Sequence, residues 1–202
     1  GSTPYAVAVT PSLRKDDTPT SKEHDHAMRT ETTTRTLYKF DELSPEAQAK
    51  ALDAHRYTNT DAGSEWWDPV YEDAANVGIK ITGFDTGRGS TIDGTVDQPE
   101  TTAHKIVKEH GEECETHKTA AAYLKERDAV IACARKDENG DWLDENELDA
   151  NLDNVDTEFT RSILEDYLIA LRNEEEYLTS DEAVKDSIEA NDYEFEEDGS
   201  KA

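Results

Sequence analysis

Apolar positions along this 202-residue chain are sparse, and where they recur they do so mainly at helical spacing. The clearest row is Phe159, Ile163, Tyr167 and Leu171, with Leu164 and Leu168 beside it, an amphipathic stripe that predicts a helix with one buried face. A second predicted helix, Thr119 to Lys136, places Ala122, Tyr123, Ala129, Val130 and Cys133 on one face, which makes Cys133 a buried small hydrophobe rather than a nucleophile. Ser44-Pro45-Glu46 reads as a helix start, with a Ser cap, Pro at the first helical position and an acid near the positive end of the dipole; that helix should run to about Tyr57. Glu65-Trp66-Trp67-Asp68-Pro69-Val70-Tyr71 opens another that ends at Gly78. Thr101 to His110 is helical, and Thr179 with Glu182 resembles a capping box before a last helix over Asp181 to Ala190. Period-two alternation predicts a first strand over Thr32 to Phe40 and a hairpin from Ile79 to Phe84, turning at Gly87 and Gly89 and returning over Ser90 to Val96. Tyr193 to Glu196 adds a short strand. The expected class is α+β: a small antiparallel sheet of strand plus hairpin, packed with several helices, and a helical acidic C-terminal third.

Three regions are expected. Residues 1–27 read as a flexible extension or leader, since Gly1-Ser2 has the form of a tag-cleavage remnant and Met28 is the only methionine. Residues 28–136 form the α+β body, and the acidic helical region 137–199 packs on it as part of one domain.

Composition alone points elsewhere. Only 34% of residues are hydrophobic and the formal charge is −27, from 48 acids against 21 bases, a balance that favours disorder wherever no stripe demands burial. A phosphate-tracking nucleic-acid binder is excluded, because it needs clustered Lys and Arg. An anionic membrane surface is disfavoured for the same reason, and no run approaches the roughly 18 apolar residues of a membrane span. Two cysteines, Cys114 and Cys133, are too few for a disulfide framework and suit reduced thiols in a cytoplasm; a single bridge between them stays open.

The charge is unevenly placed. Residues 137–202 hold 24 acids and four bases, the preceding 136 residues 24 acids and 17 bases. Because the stripe must be buried, Glu158, Glu165, Asp166, Glu174, Glu175 and Glu176 are expected to project outward together. Such a face is a solvated surface, an adaptation to high salt, or a decoy whose carboxylates imitate the phosphates of duplex DNA. Salt adaptation would spread acids evenly, so their concentration on predicted helices favours the decoy over it.

Candidate chemistry is limited. Asp137, Asn139, Asp141 and Glu147 resemble a calcium loop, but the sixth and twelfth positions hold Trp142 and Leu148 where an EF-hand needs Gly and Glu; an ordinary Asn-Gly turn is the plainer alternative. His110, Cys114 and His117, with His104 upstream, have spacing that could hold a transition metal, although Glu112, Glu113 and Glu115 fit a solvated loop equally well. No phosphate-binding glycine loop, nucleophile elbow or metalloprotease pair is present, so the expectation is a protein without catalysis or cofactor. The adjacent indoles Trp66 and Trp67 point to different faces; one packs inward and Trp66 is the candidate interface anchor, unless both pack.

Several strings together carry a resemblance: Leu37-Tyr38-Lys39-Phe40-Asp41-Glu42-Leu43-Ser44 running into Ala47-Gln48, Glu65-Trp66-Trp67 with Val70-Tyr71-Glu72-Asp73-Ala74, Gly78 to Gly94, and Glu176-Tyr177-Leu178-Thr179-Ser180 to Phe195. Over about Met28 to Gly199 the chain resembles small acidic proteins of unassigned function encoded by bacteriophages and mobile elements. The resemblance implies the cytoplasm of a host cell and an anti-CRISPR-like or antirestriction-like inhibitor. Its partner would be a basic host protein or nucleoprotein complex, met by the six acids and Trp66, with no direct contact to nucleic acid or membrane. A divalent-cation (calcium) binder and an antitoxin that neutralises a basic toxin remain the alternatives.

Overall fold

Ser44 opens helix α1 (Pro45–Ala54) as its signature predicts, its side-chain oxygen accepting from the Ala47 N–H with Pro45 at the first helical position. The computed structural model describes residues 34–61, 63–134, 136, 140, 142 and 144–202, of which Thr36–Ala202 forms one compact unit. After α1 come α2 (Asp68–Val77), the hairpin β1 (Ile79–Asp85) and β2 (Thr91–Val96), α3 (Pro99–Glu109), α4 (Glu115–Cys133), α5 (Glu145–Leu178) and α6 (Asp181–Ala190). The class is α+β, with helices around a two-stranded antiparallel sheet. The hairpin carries an irregularity between Ile81 and Gly83. Gly78, at φ 99°, ends α2 in the left-handed conformation that a side chain resists.

Helix α5, with 34 residues, is about 51 Å long and ties the molecule together. Its stripe is buried as expected: Ile163 and Leu171 are 0% exposed, Tyr167 2% and Phe159 3%. Phe159, Ile163, Leu164 and Tyr167 pack with Ala74 and Val77 of α2, Ile79 and Ile81 of β1, Ala103 and Ile106 of α3, and Ala120 and Tyr123 of α4. A smaller core joins the two ends of the unit, with Phe40, Leu43, Ala47 and Ala51 meeting Val184, Ile188 and Phe195.

Four expectations are corrected. Among the described residues, which leave out Thr32 and Thr33, the predicted first and last strands reduce to isolated bridges, Tyr38 to Phe195 and Phe195 to Lys201; the two backbone hydrogen bonds of the first are each 2.9 Å. Pairing stops there because Phe40–Glu42 winds into a 3-10 turn, in which the Glu42 carboxylate accepts from the Lys39 N–H at 2.7 Å. Helix α6 is capped by Ser180, not Thr179; the Thr179 hydroxyl donates back to the Glu175 carbonyl at the end of α5. Helix α1 stops at Ala54, short of Tyr57, where a run of turns follows. Cys133 and Ala129 are exposed because the larger core reaches along α4 only to Tyr123 and Leu124 and along α5 only to Val155; Ala122 is exposed beside the buried Tyr123. Beyond those residues the two helices continue as a paired arm, with Lys136 and Trp142 bridged near its tip and the Lys136 ammonium 3.9 Å above the Trp142 ring.

Candidate functional site

The six predicted acids do not share a face. At 3.6 residues per turn, Glu158, Arg161, Glu165, Ile169, Arg172 and Glu176 fall within a sector of about 80°, and all six are exposed. That outward row alternates in sign. Arg161 holds Glu158 through two nitrogens and reaches Glu165 at 3.1 Å, so the carboxylates of this row are partly neutralised on their own helix. The Arg161 hydrogen bond lowers the Glu158 pKa. Glu174 and Glu175 point elsewhere on the helix and are half-buried. The lower end of the row, through Ile169, Arg172 and Glu176, lines an open cleft of about 480 Å³ with Tyr57 and Thr86.

Asp166 turns inward. Its Oδ2 is buried without a hydrogen-bond partner, and burial pushes its pKa up despite the opposing influence of Thr119, with Glu115 and Glu165 adding repulsion. An acid whose pKa is raised by folding destabilises the fold once ionised, so this contribution improves as pH falls through the raised value. Asp166→Asn should therefore raise the melting temperature near neutral pH, with the gain over wild type shrinking in acid. Equal or lower melting at neutral pH would contradict this account.

Four of the remaining C-terminal acids are paired across the fold at its surface. Lys39 pairs with Asp192 at 2.8 Å and Glu194 at 3.3 Å, Lys50 with Asp198 at 2.6 Å, and Arg56 with Asp181 at 2.5 Å. In the reverse sense, Lys185 of α6 reaches Asp41 at 3.3 Å. The Lys50 hydrogen bond, with others from Ser200, holds Asp198 far below the usual carboxylate range. Singly such exposed pairs are weak, but this set registers the two ends of the chain against each other. Gly199, at φ 85°, completes the clasp, since a Cβ there would lie 2.2 Å from the Ala47 carbonyl oxygen.

Exposed carboxylates without an ion pair among the described residues are spread more widely, Glu176, Glu182, Asp186 and Glu197 included, and one run of them lies on the α4–α5 arm. Residues 124–158 contain 12 acids and four bases. Glu126, Asp128, Asp144, Glu145, Glu147, Asp149 and Asp153 are exposed and form no ion pair among the described residues. Between the helices runs a groove of about 430 Å³, lined on one side by Glu126, Ala129, Val130, Cys133 and Ala134 and on the other by Asp144, Glu147, Leu148 and Asn151. Where α5 begins, the Asp144 carboxylate accepts from the Glu147 N–H at 3.1 Å, which fixes both acids at the groove's edge.

The metal candidates fare differently. Asp137, Asn139 and Asp141 lie outside the described residues, while Glu147 sits in the first turn of α5. His110, Cys114 and His117 do not converge on a metal: His110 Nδ1 lies 2.8 Å from the Thr116 hydroxyl, His117 Nδ1 3.0 Å from the His110 carbonyl, and Cys114 and His104 are exposed. Among the described residues no group of three His, Cys, Asp or Glu side chains is placed to hold a metal ion. Both cysteines are free thiols.

Sequence reasoning missed two carboxylates that organise the interior. Asp73 accepts from the Tyr167 hydroxyl at 2.8 Å and lies 3.6 Å from His110 Nε2. Asp156 accepts from the Tyr123 hydroxyl at 2.6 Å and from Arg127 at 3.1 Å, while Arg127 also reaches Glu100 at 3.2 Å. Burial pushes both tyrosines well above their ordinary pKa. Only the position of Tyr123 and Tyr167 on buried faces hinted that hydroxyl partners would be needed.

Trp66 does not stand out as a lone anchor. It is half-buried, with its ring 5.9 Å from Trp67 and 5.6 Å from Phe84; Trp67 and Tyr71 each lie 6.0 Å from the same Phe84 ring, all edge to face. Among the described residues, no helix is long and apolar enough to cross a membrane. Compared with known proteins, the chain matches no family model, no curated protein and no solved structure.

Proposed function

We propose that the protein is a non-enzymatic inhibitor that presents the acidic α4–α5 arm to a basic, nucleic-acid-binding surface of a host defence complex. The observation that carries this reading is the row of carboxylates at the start of α5. Glu145, Asp149 and Asp153 fall within a sector of about 80° on one face and stand about 6 Å apart along the axis, close to twice the ~3.4 Å per phosphate along one strand of DNA. They form no ion pair among the described residues and are held on one helix, so a groove that tracks phosphates can exchange its counterions for them. The assignment shifts the contact surface away from Glu158 and Glu165, which Arg161 pairs.

Immobilised protein should capture a basic nucleic-acid-binding protein from host extract at low salt, release it as salt rises, and lose it to competing duplex DNA. The triple reversal of Glu145, Asp149 and Asp153 to Lys should abolish capture while helix content is unchanged. Capture that survives the reversal would sink the reading.

A further inference from the structure

We infer that the groove between the outer ends of α4 and α5 is the seat of an amphipathic, Lys/Arg-flanked helix of a partner protein. This rests on the arm being the binding surface and names the element it receives. Each helix turns a regular row into the groove: Glu126, Ala129, Val130 and Cys133 on α4 stand at i, i+3, i+4 and i+7, and Asp144, Glu147, Leu148 and Asn151 repeat that spacing on α5. Two helices with facing rows of this kind form two thirds of a three-helix bundle, and among the described residues nothing fills the third position.

The floor consists of Ala129, Val130, Cys133, Ala134 and Leu148, mostly small side chains that let a third backbone approach closely. That stripe carries the periodicity of a buried face, yet Ala129 and Cys133 are exposed in this unit. The rim decides what covers it. Glu126, Asp144 and Glu147 edge the floor without ion pairs among the described residues, so an apolar row flanked by Lys or Arg satisfies floor and rim at once. A second copy of the chain is a poor occupant, because it would bring 12 acids and four bases against the same surplus.

The probe is a synthetic amphipathic helix of about 18 residues, five turns, made of Leu and Lys with Leu at i, i+3, i+4 and i+7; a scrambled peptide of the same composition is its counterpart. Cys133 lies in the floor and Cys114 is remote from it in sequence and absent from the groove lining, so alkylation of the two thiols reports occupancy. At a concentration ten times its Kd, the ordered peptide should slow alkylation of Cys133 about tenfold and leave Cys114 unchanged, whereas the scrambled peptide slows neither. Ala129→Trp, which fills the floor from an exposed position, should weaken the ordered peptide at least about tenfold without loss of helix content. Equal protection by both peptides, no protection of Cys133, or undiminished binding to the Ala129→Trp protein overturns the groove. Capture of a basic host protein that survives Ala129→Trp and fails on reversal of Glu145, Asp149 and Asp153 would overturn this inference alone. Peptide binding that persists while the triple reversal leaves host-protein capture intact would instead remove the proposed function.

Discussion

Gly94→Val is expected to destabilise the protein by about 3 kcal/mol or more, because it overpacks the place where α5 crosses the hairpin. A Cβ at this position would sit 2.7 Å from Leu164 Cδ2 and 2.7 Å from the Lys80 carbonyl oxygen. One of those neighbours is backbone of the paired strand, and the other belongs to the buried stripe, so neither can withdraw cheaply. Gly83, on the other strand of the same hairpin, meets nothing within 4 Å, and Gly83→Ala should change stability by no more than about 0.5 kcal/mol. Urea unfolding midpoints at an unchanged slope measure both. Equal losses at the two positions would mean that glycine matters here for strand flexibility and not for the crossing.

Ile163→Ala should cost about 2 to 5 kcal/mol, a large fraction of the stability of a domain this size. Ile163 is 0% exposed and touches the larger core from the middle of α5, so truncation leaves a cavity bounded by elements on several sides. Six residues on, Ile169 is 45% exposed, and Ile169→Ala should cost no more than about 0.5 kcal/mol. The same chemical change on one helix thus separates burial from helix propensity, which both substitutions improve slightly. Comparable losses would place the core elsewhere than along Phe159 to Leu171.

What could be read in advance follows from how local each cause is. The α5 stripe, the Ser44 start, the Gly78 stop and the hairpin all depend on residues within a few turns of one another, and each was legible. The capping of α6 was displaced by one residue because Thr179 and Ser180 are both competent caps and the geometry of the α5 exit chose between them. The face containing Ala129, Val130 and Cys133 was correctly seen as periodic but wrongly placed inside, since periodicity states which residues favour cover and not what supplies it. The uneven charge was plain, yet its disposal was not. Lys39 and Asp192, or Lys50 and Asp198, lie about 150 residues apart, and nothing local links them. A separation of 94 residues likewise hid Asp73 as the acceptor for Tyr167.

The small core at the chain ends has a consequence for when the protein can be completed. Phe40, Leu43, Ala47 and Ala51 are covered by Val184, Ile188 and Phe195 from the other end of the unit, so completing this core depends on long-range contacts that chain closure makes slow to form. During synthesis the hairpin, α3, α4 and most of α5 can collapse around the larger core while the ribosome is still translating. Helix α1 must wait, its apolar face uncovered, until Phe195 has left the exit tunnel. Joining the two ends of the unit is therefore the last step of this fold, and a nascent chain arrested before α6 exposes Ala47 and Ala51 to any chaperone within reach.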